Sequence, residues 1–332
     1  MADIHSVLIT AQLNPENKKK LENALEGAEI HFCDPQEKEA ISRCIHDVDV
    51  AILNGDADAQ ILSGKKLRWI HCCHAGLEKT ICPEIFERDI ILTSSSGRSA
   101  PALAEHVAMF MLALTYDIPF LMRKKAEHQW MAGGAYSEKT GIYGKTVGIV
   151  GLGKTGSEVA RIAKGFHMKV IGWRRSGGTK ENVDRVYSSE NGESVIPLLE
   201  QSDYIVLSVE LNDKTWHLIN EDTLKHVKDT AFIINIGRGG LIDEPALVRA
   251  LQDGRIAGAG LDTFEKEPLS PDSPLWEIPN VIITPHTTPK LPDREERALE
   301  YVLKNIEAYR GNGKFVNRLS QRDMYTHYQG IH

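Results

Sequence analysis

The sequence predicts an α/β protein of two domains, each built on a parallel sheet, with the second domain inserted into the first. Three observations lead there. Short apolar runs alternate with helical patterns in two separate series, one within residues 1–99 and another from "GKTVGIVGLGKTG" onward, and such alternation marks parallel strands joined by crossover helices. A glycine-rich turn opens the second series. The last helical pattern, "REERALEYVLKNIEAY" from Arg294 to Tyr309, has no strand after it, so the economical arrangement returns that helix to the first series. The expected bounds are 1–99 with 290–332 for one domain and 100–289 for the other.

In the first series "SVLIT" reads as a strand, "NPENKKKLENALEG" as a helix, and "VDVAIL", "LRWIHCC" and "IILTS" as further strands. From Pro101 the pattern changes to "PALAEHVAMFMLAL", an apolar helix with few charges, expected to be buried at a junction. The second series supplies strands at "TVGIV", "KVIGW", "DYIVLSV", "AFIINIG", "IAGAGLD" and "NVIITPH". No repeat of solenoid period and no low-complexity segment interrupts either series.

Size and charge narrow the function. A chain of 332 residues with 42% hydrophobic content can bury two ordinary cores. Its net charge of −7 offers no overall positive field to nucleic acid or an acidic membrane, so any phosphate recognition must be local. The start, "MADIHSVLITAQLNPENKKK", lacks the basic region, long apolar core and cleavage site of a signal peptide. No apolar stretch reaches the length of a membrane span. The five cysteines, Cys33, Cys44, Cys72, Cys73 and Cys82, are odd in number and confined to the first quarter, which suits free thiols in a reducing cytoplasm.

The turn "GLGKTG" places Gly151, Gly153 and Gly156 in G-x-G-x-x-G spacing, after "TVGIV" and before "SEVARIAKGF". In a dinucleotide site those glycines serve a tight turn, close approach of backbone to pyrophosphate, and close packing of helix on strand. Lys154 and Thr155 lie in the turn, where their N–H groups can face pyrophosphate. Gly148 through Thr155 also reads G-x-x-x-x-G-K-T, the phosphate loop of nucleoside triphosphatases. That reading would put Ile149 and Val150 inside the loop and reduce the preceding strand to "KTV", too short for a central strand. A methyl-donor site would also use a glycine loop, but with an acid at the end of the second strand.

Where an NAD site would offer an acid to the adenosine ribose, about twenty residues past the loop, this chain has "IGWRRSG". A guanidinium at that place holds the 2′-phosphate of NADP bidentately and stacks on adenine, whereas a carboxylate repels that phosphate. Arg174 and Arg175, with Ser176 as a hydroxyl donor, are therefore the expected phosphate readers, and the expected cofactor is NADP, with NAD as the alternative. The competing interpretation makes them solvated loop charges.

Downstream come "INIGRGGLIDE", "GLDTFEKEPL" and "ITPHTT". With the glycine loop, "WIHCCHAGLEKT" and "GRSAPALAEHVAMFMLAL", their order resembles the D-isomer-specific 2-hydroxyacid dehydrogenase family over nearly the whole chain, and the expected NADP preference with this pattern resembles its glyoxylate and hydroxypyruvate reductases. The resemblance implies a Rossmann-type dinucleotide-binding domain inserted in a flavodoxin-like substrate/catalytic domain. It implies that Arg238 binds substrate, His286 is the acid–base and Glu267 its carboxylate partner. Elementary chemistry agrees: imidazole titrates near neutrality and can protonate a developing alkoxide, a carboxylate beside it favours and orients the imidazolium, and a permanently charged guanidinium polarises the ketone.

By the same resemblance Asp262 meets the nicotinamide amide, Ile236, Gly237 and Arg238 line the cofactor, and the N–H groups of Ala75, Gly76 and Leu77 grip the substrate carboxylate. Asn54 in "LNGD" is placed beside them as a substrate contact or a turn residue, and His74 as a further contact. The run "HCCH" at 71–74 suggests zinc, but adjacent side chains of an extended segment point to opposite faces and do not converge on one tetrahedral metal.

The family's dimerisation region corresponds to Tyr116–Thr140, so a homodimer is expected, with a small 2-oxo or 2-hydroxy acid as the other partner and no nucleic acid or membrane. Three departures stand out. Glu210 occupies a position where the family usually has proline, Thr287, Thr288 and Pro289 follow the histidine where small residues are usual, and the ribose-binding acid is missing. Glu267 argues against formate oxidation, for which relatives use an amide. Some relatives are non-catalytic, nucleotide-sensing corepressors, and fold alone does not separate that alternative from an enzyme.

Overall fold

The structure is a computed structural model that describes residues 3–130, 136–288 and 290–327. The chain divides into two compact units, Met1–Arg98 with Leu291–His332, and Ser99–Lys290. The first unit carries a parallel sheet of β1 (Ser6–Ile9), β2 (Glu29–Phe32), β3 (Val50–Leu53), β4 (Trp69–Cys72) and β5 (Ile91–Ser94), ordered β2-β1-β3-β4-β5. This is the flavodoxin-like order. Its helices are α1 (Pro15–Ala24), α2 (Lys38–Cys44), α3 (Ala59–Leu62) and α4 (Pro83–Glu87), with α11 (Arg294–Tyr309) added from the far end of the chain.

The period of two along each strand sorts its apolar residues to opposite faces. Leu8, Ala51, Ile70 and Leu92 pack with Ile41 of α2 and Ile85 of α4. Val7, Val50 and Trp69 pack with Leu21 of α1 and with Leu299, Val302 and Ile306 of α11. Both faces are covered, which explains why the strands read as continuous apolar runs. Asn14 caps α1 by accepting from Asn17 N at 2.9 Å, and Glu295 of α11 accepts from Asn14 N at 2.7 Å, tying the two helices together.

The second unit contains α5 (Ala100–Thr115), α6 (Ile118–Ala126), β6 (Thr146–Val150), α7 (Lys154–Gly165), β7 (Lys169–Arg174), β8 (Arg185–Ser188), α8 (Ile196–Gln201), β9 (Tyr204–Leu207), α9 (Glu221–Leu224), β10 (Phe232–Asn235), α10 (Glu244–Gln252), β11 (Gly258–Leu261) and β12 (Val281–Ile283). The strands form one parallel sheet, β12-β11-β10-β9-β6-β7-β8, the doubly wound Rossmann order with one further strand at the β12 edge. The apolar helix expected at a junction is α5, and it packs on α7 and on β10, β11 and β12. Its Val107, Phe110 and Met111 are fully buried there.

Two strands, β2 and β8, stand outside the runs legible in the sequence. Each lies at a sheet edge and leaves half or more of its residues partly or fully exposed. An edge strand is covered less completely, so "EIHF" and "RVYS" carry too little apolar signal to announce themselves.

Candidate active site

The sequence-expected cofactor residues gather at the carboxyl edge of the second sheet, where strand order reverses between β6 and β9, the position at which open α/β sheets bind ligands. The turn after β6 runs Gly151 to Gly153, and Gly153 is the N-cap of α7. Gly151 has φ +98°, and a Cβ there would lie 2.7 Å from Ser208 O and from Val209. A Cβ on Gly156 would collide with Gly151 O. Both glycines are required by the protein itself. Gly153 is different, for nothing lies within 4 Å of its Cβ position. Open backbone at the start of a twelve-residue helix, flanked by Lys154 and Thr155, fits a pyrophosphate.

The triphosphatase reading of the same motif is overturned. Gly148 sits inside β6, paired with Ile171 and Ile205 on its two neighbours, and a Cβ there would strike Ser202 and Leu198. Its glycine serves packing beneath the sheet.

At the end of β7 the structure brings Arg174 and Ser176 together, Arg174 Nη2 donating to Ser176 Oγ at 2.6 Å. Arg175 is anchored through its carbonyl, which accepts from Ser188 Oγ at 2.8 Å and Glu190 N at 3.0 Å. The three residues thus form a braced turn with two guanidinium groups, both partly exposed.

The remaining expected residues follow β10, β11 and β12. Asn235, fully buried at the end of β10, accepts from Gly237 N at 3.0 Å and donates to Arg238 O at 2.9 Å. Arg238 Nη1 donates to Gly237 O at 2.8 Å. Asn235 thereby sets the backbone that presents Ile236, Gly237 and Arg238. It was not singled out from sequence, although an amide inside "FIIN" is a signal that buried backbone needs a partner. Asp262, 1% exposed, follows β11 and accepts from Thr284 Oγ1 at 2.6 Å.

His286 and Glu267 meet directly, with His286 Nδ1 donating to Glu267 Oε2 at 2.7 Å. Glu267 Oε1 accepts from Phe264 N at 3.0 Å, which orients the carboxylate. The hydrogen bond to Glu267 and its charge raise the His286 pKa against the opposing effects of burial and of Arg238. Burial pushes the Glu267 carboxyl upward, but the hydrogen bonds from His286 and Phe264 N and the charges of His286 and Arg238 bring it below its ordinary value. Arg238 therefore lies close enough to act electrostatically on both.

In the first unit, Asn54 follows β3 and is exposed, its N–H donating to Thr10 Oγ1 at 3.1 Å. The segment Ala75–Gly76–Leu77 follows the adjacent strand β4. Ala75 is exposed, Gly76 adopts φ +78°, and Leu77 is buried with its carbonyl accepting from Ile81 N at 2.8 Å. His74 bridges the two loops, its Nε2 3.9 Å from Asp56 Oδ1. Within "HCCH", Cys72 and Cys73 enter different apolar clusters. His71 is fully buried between Thr93 Oγ1 at 2.8 Å and Ser95 Oγ at 2.9 Å, and burial lowers its pKa to about 3.

The departures are also placed. Glu210 is exposed after β9, its carbonyl accepting from Thr215 Oγ1 at 2.7 Å. Thr287 Oγ1 donates to Pro285 O at 2.9 Å, and Thr288 Oγ1 lies 3.2 Å from His106 Nδ1. Pro289 lies outside the described residues, as do 131–135 of the Tyr116–Thr140 segment.

Comparison with known proteins bears on family and fold. Residues 108–288 match the family described as "D-isomer specific 2-hydroxyacid dehydrogenase, NAD binding domain". The chain is 35% identical over 328 residues to a glyoxylate reductase of Pyrococcus horikoshii, covering 96% of each, and 32% identical over 313 residues to a glyoxylate reductase of Korarchaeum cryptofilum, covering 92% of each. The fold superimposes with a TM-score of 0.77 and 26% identity on an NADPH-dependent glyoxylate/hydroxypyruvate reductase from Sinorhizobium meliloti in complex with NADP and sulfate, covering 95% of this chain and 98% of that one. Strand order, glycine turn, the His286–Glu267 pair and these matches together make the chain a member of the D-isomer specific 2-hydroxyacid dehydrogenase family.

Proposed function

We propose that the protein reduces a small 2-oxo acid of the glyoxylate or hydroxypyruvate class to the 2-hydroxy acid, of D configuration where the product is chiral, with NADPH as the preferred cofactor and NADH as the alternative. The enzyme class is NAD(P)-dependent oxidoreductase acting on the CH–OH group. The observation that carries the reading is the 2.7 Å His286–Glu267 hydrogen bond with Arg238 acting on both. A nucleotide-sensing module needs no such acid–base pair.

In this reading residues 100–289 hold the cofactor. Gly151, Gly153, Lys154, Thr155 and Gly156 receive the pyrophosphate, Arg174, Arg175 and Ser176 the 2′-phosphate, and Ile236, Gly237, Arg238 and Asp262 the nicotinamide side. When bound, the reduced nicotinamide supplies the hydride for the carbonyl carbon. Glu267 holds the Nδ1–H of His286, which leaves Nε2 to deliver a proton to the carbonyl oxygen. Arg238 neutralises the substrate carboxylate and stabilises the developing alkoxide. In residues 1–99 and 290–332, the N–H groups of Ala75, Gly76 and Leu77 bind the carboxylate, with Asn54 as a nearby polar contact.

A homodimer formed through the Tyr116–Thr140 segment and a cytoplasmic location complete the proposal. Tyr116, Ile118, Met122 and Trp130 all present large apolar surface to solvent, Trp130 at 93% exposure, which supports a covered state for that face. No helix among the described residues is long and apolar enough to cross a membrane.

The test is turnover. Purified protein is mixed with NADPH and a panel of 2-oxo acids while nicotinamide absorbance is followed. Glyoxylate or hydroxypyruvate should oxidise the cofactor, and Arg238→Gln should lower kcat/KM about 10²- to 10³-fold. Tight NADPH binding without oxidation by any 2-oxo acid would sink the enzymatic reading.

A further inference from the structure

We propose that His106 is a positioning residue for this reaction, its imidazole clamping Thr284 and Thr288, the residues two before and two after His286. The inference rests on the reading of His286 as proton donor and adds what holds it. His106 sits on the buried face of α5 at 6% exposure, its ring stacked on Phe110 with centroids 4.7 Å apart. A buried imidazole stacked on Phe110 must find polar partners. Both of its nitrogens do: Nε2 lies 3.1 Å from Thr284 Oγ1, and Nδ1 lies 3.2 Å from Thr288 Oγ1.

The proton positions follow from the chemistry of the neighbours. Thr284 donates its single hydroxyl hydrogen to Asp262 Oδ1 at 2.6 Å, so toward His106 it can only accept. Nε2 of His106 therefore carries the hydrogen. Burial lowers the His106 pKa against the opposing charge of Asp262, which favours the neutral ring. Nδ1 then offers a lone pair and accepts from the Thr288 hydroxyl. The result is one oriented chain, in which Thr288 donates to His106, His106 to Thr284, and Thr284 to Asp262.

His286 is the residue that needs this clamp. It adopts φ +50°, in the left-handed region that a non-glycine residue keeps only when its surroundings over-determine it. Its side chain is fastened by Glu267 alone among the contacts described above, while its backbone turn is held from both flanks by one ring. The same ring fixes, through Thr284, the carboxylate assigned to the nicotinamide amide. Proton donor and cofactor contact are thereby set in one register, which explains why threonine stands at 288 where smaller residues are usual in the family.

The experiment compares wild type with His106→Phe, which keeps the ring packed on Phe110 but removes both bonds, and Thr288→Val, which removes one bond from a partly exposed position. Histidine-labelled protein is titrated by NMR, folding is followed by thermal melting, and reduction is measured at steady state. In wild type the His106 nitrogens should report the Nε2–H tautomer. In the variants the His286 pKa should fall toward the ordinary 6.5, and kcat should drop about tenfold or more for His106→Phe and by less for Thr288→Val. KM for the 2-oxo acid should change little, because Arg238 is untouched.

A wild-type Nδ1–H tautomer overturns the proposal, and so does an unmoved His286 titration in folded Thr288→Val. If His106→Phe fails to fold, those two measurements still decide the matter. Neither requires turnover, so absence of activity in wild type would defeat the functional reading and leave the clamp to be judged by the titration.

Discussion

His286 and Glu267 are separated by 19 residues of chain, yet Nδ1 and Oε2 stand 2.7 Å apart, with 43% and 36% of the two side chains still accessible. The pair is thus strong enough to perturb both groups and open enough to meet a substrate. Each partner sits in a loop beyond a strand; Phe264 N donates to Glu267 within one loop, and Thr284 donates to Asp262 across the two.

The first expectation concerns pH. With His286 as the proposed proton donor, reduction needs the protonated imidazole, and Glu267 raises the His286 pKa above its ordinary value. The rate of reduction should be high below that raised pKa and fall as pH climbs through it. Oxidation of the 2-hydroxy acid needs the neutral ring and should show the opposite limb. In Glu267→Gln the limb of both profiles should move to lower pH, and His286→Gln should lose about 10²- to 10⁴-fold in kcat. A profile unmoved in Glu267→Gln would show that another group titrates.

The glycine turn separates structural from ligand-imposed constraint. Gly153→Ala places its methyl in open space, so the melting temperature should hold steady while NADPH affinity falls. Gly151→Ala combines a positive φ with a collision against Ser208 and Val209, and should cost on the order of 1–3 kcal/mol of stability. Thermal melting with and without NADPH reads both. Retained cofactor affinity in Gly153→Ala would remove the pyrophosphate from this turn.

In the proposed function, cofactor preference rests on the braced turn after β7. Arg174→Asp removes one charged contact and leaves Ser176 without its guanidinium partner, which should weaken NADPH binding by about tenfold or more, equivalent to ~1.5–3 kcal/mol. Binding of NADH should change little. Tryptophan fluorescence titrations with each nucleotide decide it. Equal affinities for the two cofactors, unaltered by the substitution, would make these arginines solvated charges.

Much of this was legible in the chain itself. Residues close in sequence act together in the glycine turn and in the Arg174–Ser176 contact, and strands buried on both faces advertise themselves as apolar runs. The edge strands β2 and β8 did not, because half-covered strands can be polar. The expected end of the phosphate-loop ambiguity came from strand length, and the pairing of Gly148 inside β6 bears it out.

Local pattern sufficed to predict the parallel α/β architecture and the glycine turn, and the order of short motifs carried the resemblance that proposes Arg238, Glu267 and His286 as the site. What holds them in place is set by packing between distant parts of the chain. His106 lies 178 residues from Thr284 and 182 from Thr288, and in the sequence it is one histidine in an apolar helix. Its partners are chosen by the packing of α5 beneath the carboxyl edge of the sheet, where burial makes each polar atom find a neighbour. Periodicity shows that such an atom is buried, but contacts across so long a span are set by the fold.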